Sequence, residues 1–197
     1  ASRVDQIGVL YAERAIERAH VCLLVLDATQ GVTAEDASIG AKIAEAGRGA
    51  VLVFNKWDLV EERETRAKLQ RQEALERLPH LDYAPMLFVS ALTGRGVVRT
   101  LDVVDRVRTS QLQRIPTPQL NRFLEEVVRR HPPRIRGIKE VNLLYMTQKG
   151  VAPPRFVIFA NRVEGIDPTY SRFMVRRLRE AFGFEGTPLR VTFRKRR

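Results

Sequence analysis

Residues 51–60 read VLVFNKWDLV, an apolar, β-prone run that passes directly into Asn55, Lys56 and Asp58. These residue types at this spacing suit recognition of a guanine ring. The Watson–Crick edge of guanine offers two adjacent N–H donors, and one ionised carboxylate, here Asp58, accepts both. Asn55 can bond the opposite side of the base and brace a neighbouring loop, while the aliphatic stem of Lys56 covers the ring plane. Adenine would leave Asp58 partly unpaired in a dry pocket, at about 1–3 kcal/mol or more for a charged group. The pattern therefore selects guanine. Further along, Ser90, Ala91 and Leu92 open the stretch SALTG, a loop that can present backbone N–H to the base oxygen. The competing interpretation of Asn55, Lys56 and Asp58 is a solvated loop with a helix-capping aspartate. Trp57 and Asp27 are expected to be structural, an edge aromatic against the next helix and a strand-end turn former.

Such a site needs elements that bring these loops together. The run HVCLLVLDA (20–28) has strand length and is too apolar for an exposed strand. A helix follows over 31–47, with Thr33 able to N-cap it, Glu35 and Asp36 at the positive end of its dipole and Gly47 at its stop. Then come a strand (50–55), a charged helix (61–78), a strand (84–91) and a helix (97–110). This alternation predicts an α/β fold, a parallel sheet with helices on both faces. Ligands of such sheets bind at the carboxyl ends of the strands, and Asp27, Asn55 and Ser90 are each expected at such an end, projecting toward one rim.

Two other patterns invite chemistry and are read as structural. Asp5-Gln6-Ile7-Gly8 has the D-x-x-G spacing of a γ-phosphate sensor, but residues 7–20 have the periodicity of an amphipathic helix covering the sheet. Gly183-Phe184-Glu185-Gly186 matches the G-x-x-G that clamps nucleic-acid backbone. It lies between a helix and the final strand, Glu185 would repel phosphate, and a helix C-cap and turn is expected.

The chain is 197 residues, 44% hydrophobic, with a net charge of +11. Charge divides it. Residues 114–197 carry 19 Lys and Arg against 7 Asp and Glu, leaving 15 against 16 for residues 1–113. Two domains are expected, 1–113 and 114–197, separated near the prolines of QRIPTPQL. The second reads as helix (117–131), strand, strand, helix (168–183) and strand (188–194), a small α+β sandwich. Its basic excess points to RNA or DNA, with Arg172, Arg176, Arg177, Arg179, Arg194, Lys195, Arg196 and Arg197 as the candidate contacts beside Arg129, Arg130, Arg134 and Arg136. A single cysteine, Cys22, excludes a disulfide framework and reads as a core side chain in a reducing compartment. No apolar run reaches membrane-span length and no signal peptide is legible, so a cytoplasmic location is expected.

The stretches NKWDLV, YAPMLFVSALTG, RIPTPQLN, RHPP, YMTQKGVAPPRFVIFAN and LREAFGFEGTPLRVTFR resemble the carboxyl-terminal half of the Der (EngA) family. These are bacterial GTPases with two tandem G domains and a KH-like domain. The resemblance implies a partial P-loop GTPase-type sheet followed by a KH-like domain, and GTP hydrolysis coupled to assembly of the large ribosomal subunit, with ribosomal RNA as a partner. It also implies that Asn55, Lys56 and Asp58 read the base of GTP or GDP and that Ser90, Ala91 and Leu92 form the last motif. The P-loop, switch threonine and Mg²⁺ ligands of that family lie before the point at which this sequence starts. Mg²⁺ is therefore expected only with the phosphate-binding half, no catalytic residue or metal ligand is assigned within these 197 residues, and this chain alone is expected not to hydrolyse GTP. The alternative is a non-catalytic RNA-binding module whose G-like part is scaffold only.

Overall fold

The computed structural model describes residues 3–133 and 141–196, with the backbone alone for residues 3–10. Two compact units result. The first comprises residues 1–110 with 185–188, and the second 111–184 with 189–197.

In the first unit, helix α1 (Arg3–Arg18) precedes strand β1 (Val21–Asp27), and its backbone runs helically through Asp5-Gln6-Ile7-Gly8. Helix α2 (Ala34–Glu45) leads to β2 (Gly49–Asn55), and α3 (Arg63–Arg77) leads to β3 (Met86–Phe88), after which α4 (Val97–Leu112) follows. The three strands are parallel in the order β1-β2-β3, as alternating strands and helices require. Thr33 N-caps α2 with its side chain on the Asp36 amide, and Asp36 reaches back to the Thr33 amide, a full capping box.

Burial separates the two faces of this sheet. Leu24, Leu26, Leu52 and Phe54 pack with Ile16 of α1, Ile43 of α2 and Ala74 of α3, while Val51, Val53 and Val89 pack with Val103 and Val107 of α4. Cys22 belongs to the first cluster, and burial pushes its thiol pKa up. One expectation is corrected here. The run VCLLVL alternates in burial, and Leu23 and Val25 remain 44% and 55% exposed, because the cluster built on α4 centres on Val51 and Val53 of β2 and takes in β1 only at Val21. β3 is also shorter than its apolar stretch. The Val89 amide still bonds Phe54 O on β2, but the Ser90 amide turns away to Arg95 O, which leaves Ser90 beyond the strand instead of at its last position.

The second unit runs α5 (Thr117–Arg130), β4 (Leu143–Gly150), β5 (Arg155–Ala160), α6 (Thr169–Phe182) and β6 (Arg190–Lys195). β4 and β5 pair antiparallel and β5 and β6 parallel, in the order β4-β5-β6. Leu120, Leu124 and Val127 of α5 and Tyr170, Met174 and Leu178 of α6 bury against Met146, Phe156 and Ile158, so both helices lie on one face of the sheet. The Tyr170 hydroxyl donates to His131 O at 2.8 Å, and burial raises its pKa to about 12. Gly183 ends α6 at a φ of 83°, its amide bonded to Arg179 O, so the G-x-x-G stretch begins as the expected helix cap.

Candidate functional site

Asp27 and Asn55 are the last residues of β1 and β2 and stand in register, so the first two candidate positions share one rim. From Asn55 the chain cannot continue as a strand, because Lys56 adopts a left-handed conformation with φ 62° and ψ 33°. A non-glycine residue held there stores strain, a feature that concentrates at binding sites. A turn of 3₁₀ helix, Trp57–Leu59, follows, and the Leu59 amide closes it on Lys56 O at 3.1 Å.

Two contacts fix this turn against the next loop. The Trp57 amide donates to Val89 O at 3.0 Å, and the Ala91 amide donates to Asn55 Oδ1 at 2.9 Å. The second is the loop brace expected of Asn55, and it places Ala91 beside the N-K-x-D turn. Trp57 is buried in the cluster that includes Ala74 of α3, as an aromatic expected against the following helix should be, and its ring also rests on Phe88 of β3, with centroids 4.3 Å apart. Phe88 in turn stacks on Phe54 at 5.2 Å. An aromatic floor thus supports the turn from below.

Asp58 is not a helix cap. α3 begins at Arg63, with no side-chain cap at Glu62, and Asp58 Oδ1 is buried without a hydrogen-bond partner among the described residues. A buried carboxylate oxygen with no donor is costly, and paired N–H donors such as those on the guanine edge are the groups that satisfy it. One acceptor at this turn is thus left for a donor from outside the described residues.

Ser90 is buried, and its hydroxyl accepts from the Thr93 amide at 3.2 Å, which folds the Ala91-Leu92-Thr93 segment into a tight loop. Leu92 projects outward at 87% exposure, consistent with a position whose backbone matters more than its side chain. Glycine suits position 96: its φ is 78°, where a side chain is strained, and a Cβ would sit 3.1 Å from Phe88 O.

Asp27 carries more than the turn role that its sequence position suggested. Its carboxylate accepts from the Thr29 amide and hydroxyl at 2.9 and 2.7 Å, and Oδ2 lies 2.7 Å from Lys56 Nζ. The Lys56 contact, then the Thr29 hydroxyl and amide, hold its pKa well below the usual carboxylate range. Lys56 is thereby tethered at its tip while its stem stays exposed over the turn. The legible signal was Asp27 ending the strand before the one that delivers Lys56.

The basic candidates of the second unit separate by partner. Glu180 pairs with both Arg176 and Arg177, and Arg179 donates to Phe184 O. Arg172 forms no ion pair among the described residues and is exposed. Arg194, Lys195 and Arg196 are exposed at and beyond the end of β6, whereas Arg197, Arg134 and Arg136 lie outside the described residues. Arg130 pairs with Glu126 at 3.0 Å.

Two family models match the chain. Residues 11–110 match the elongation factor Tu GTP binding domain, and residues 114–194 match the KH-domain-like, C-terminal part of EngA bacterial GTPase enzymes. Similar curated proteins include the "GTPase Der" of Syntrophotalea carbinolica, 42% identical over 195 residues, and that of Moorella thermoacetica, 43% identical over 194. In each case the match covers 98% of this chain but 44% of the relative, so the chain spans less than half the length of the curated proteins it resembles. Among solved structures, Era in complex with MgGDPNP and nucleotides 1506–1542 of 16S ribosomal RNA aligns with 99% of this chain and 72% of its own, at 16% identity and a TM-score of 0.47.

Proposed function

Because this chain belongs to the Der (EngA) family, we propose that it forms the base-reading part of a G domain and the KH-like domain of a longer GTPase that acts in assembly of the large ribosomal subunit. The observation that carries the guanine assignment is Asp58 Oδ1, buried beside the Asn55–Ala91 brace without a donor of its own.

In this proposal each residue has a separate task. Asp58 accepts the two donors of the guanine edge, Asn55 holds the Ala91 loop against the turn, and the Lys56 stem, tethered through Asp27, covers the ring. In the Ser90–Leu92 loop the Ser90 and Ala91 amides already donate to Arg95 O and Asn55 Oδ1, and the Leu92 amide is the N–H offered to the base oxygen. Bound GTP supplies the scissile phosphate, and hydrolysis requires the phosphate-binding half that the longer relatives contain. Mg²⁺ binds with that half in this proposal. Among the described residues, no group of three His, Cys, Asp or Glu side chains could hold a metal ion. No helix among them is long and apolar enough to cross a membrane, and a cytoplasmic setting on ribosomal RNA is part of the same proposal. The basic excess of residues 114–197 supports the RNA contact.

The test uses the chain extended upstream to include a phosphate-binding half. Fluorescent GDP should be displaced by guanosine nucleotides and not by adenosine nucleotides. Equal displacement by both would contradict base reading and leave the first unit a scaffold for an RNA-binding module.

A further inference from the structure

The face of sheet β4-β5-β6 turned away from α5 and α6 gathers cations from all three strands. Alternation along the strands sends Phe156 and Ile158, with Val191 and Phe193, toward the helices, and leaves Arg155, Phe159, Arg190, Thr192 and Arg194 for the other face with Tyr145 and Thr147, around a buried Val157. None of these is acidic. Arg155 stands in register with Arg190 on the neighbouring parallel strand, and Phe159 with Arg194. Like charges directly opposite one another destabilise a sheet. Lys149, Arg155 and Arg194 are exposed and form no ion pair among the described residues. This differs from α6, where Glu180 already answers Arg176 and Arg177.

A concavity of about 530 Å³ lies here, lined by Lys149, Arg155, Val157, Arg190, Thr192 and Arg194, with Phe156 also contributing. Gly150 helps to shape it. A Cβ at Gly150 would lie 2.9 Å from Arg155 Nε and Nη2, so the missing side chain gives the guanidinium room to lie across the neighbouring strand. Arg190 and Arg194 stand four positions apart on β6, about 13 Å along the strand, farther than one phosphate group can bridge. An array of that extent fits a chain of phosphates. Tyr145 and Phe159 stack on each other with centroids 4.5 Å apart and an interplanar angle of 15°, so each ring already spends one face on its neighbour. That reduces what they offer to an unstacked base and favours contact with backbone over reading of sequence.

We infer that this open sheet face, through Lys149, Arg155, Arg190 and Arg194, is the surface on which the phosphate backbone of a folded RNA docks. The inference rests on the RNA-binding part of the proposed function and deepens it, moving the principal contact from the α6 arginines to the sheet.

The experiment measures binding of this whole chain, by fluorescence anisotropy across a salt series, to a folded RNA hairpin, to a hairpin of the same stem length and scrambled sequence, and to polyglutamate. The two hairpins should bind alike, with an affinity that falls steeply as salt rises. The combined variant K149Q/R155Q/R190Q/R194Q should lose roughly 100-fold in affinity at low salt, and its log–log salt slope should shrink by about one per cation removed. R172Q/R176Q should keep most of both. Thermal unfolding should show R155Q, which removes one member of the like-charge pair and leaves the core untouched, at least as stable as the parent, and R155Q alone should lose about one unit of slope. If the parent binds hairpin and R172Q/R176Q loses it while the sheet variant does not, the sheet inference fails and RNA binding stands. If polyglutamate binds as well as the hairpins, an acidic protein surface replaces RNA as the occupant. If the parent binds no hairpin, the inference and the RNA part of the proposed function fail together.

Discussion

The parallel sheet β1-β2-β3 carries its candidate site at a rim, where a few directional groups converge, whereas β4-β5-β6 carries its candidate surface across an open face, where like charges repeat. At the rim, recognition depends on single atoms. Asn55 Oδ1 holds Ala91, Asp58 Oδ1 lacks a donor, and a strained Lys56 turns the chain between them. On the open face no atom is decisive, and the working quantity is charge per unit length of strand. The rim should therefore fail abruptly when one residue changes, and the face gradually.

The sharpest way to break the comparison is to remove what supports either surface. Phe156 is fully buried beneath the basic face. Phe156→Ala should cost about 3–5 kcal/mol in chemical denaturation followed by circular dichroism, because the cavity cannot close. A loss below 1 kcal/mol would mean the face is not built on a packed core.

Next in size is the loop brace. Asn55→Ala removes the acceptor of the Ala91 amide, at about 1 kcal/mol, and hydrogen exchange at Ala91 should accelerate while amides of the second unit are unchanged. Unaltered exchange would show that the loop holds its shape without Asn55.

The Asp27 tether gives a smaller, pH-dependent effect. Its folded pKa lies below its unfolded value, so its contribution to stability is fully present above the unfolded carboxylate pKa, about 3.9, and declines as pH falls toward the folded value. Asp27→Asn should therefore flatten the loss of stability on acidification from about pH 4 downward, read as urea midpoints at successive pH values. Parallel curves for parent and variant would exclude the tether.

The smallest effect expected is at Val25. Val25→Thr should change the stability of this chain by less than about 0.5 kcal/mol, because that side chain is 55% exposed, whereas Leu24→Ala, next to it on the buried face, should cost about 2–5 kcal/mol.

What the sequence disclosed follows the same division. The rim was legible because its chemistry is local. N-K-x-D is four consecutive residues after an apolar run, and the Thr33 cap depends on Asp36 three positions away. The one-sided exposure of β1 was not legible, since VCLLVL has no polar residue to mark the uncovered face. Pairing of Asp27 with Lys56 and of Arg155 with Arg190 depends on strand register, which brings together residues distant in sequence. The Arg176–Glu180 pair was readable, because four-residue spacing on a helix puts the two on one face. The charge run of α6 was thus partly answered by its own carboxylate, while the scattered cations of β4, β5 and β6 were the ones that the fold gathered.

The most direct measurement of the central claim is a change of base preference. In the chain extended to include a phosphate-binding half, Asp58→Asn exchanges an acceptor for a donor where the carboxylate would meet the base, so competition against fluorescent nucleotide should move from preferring GTP to preferring XTP. The GTP affinity of the variant should fall by about 10–100-fold, the equivalent of roughly 1–3 kcal/mol. An Asp58→Asn protein that still binds GTP ahead of XTP would contradict the assignment of Asp58 as the residue that reads guanine.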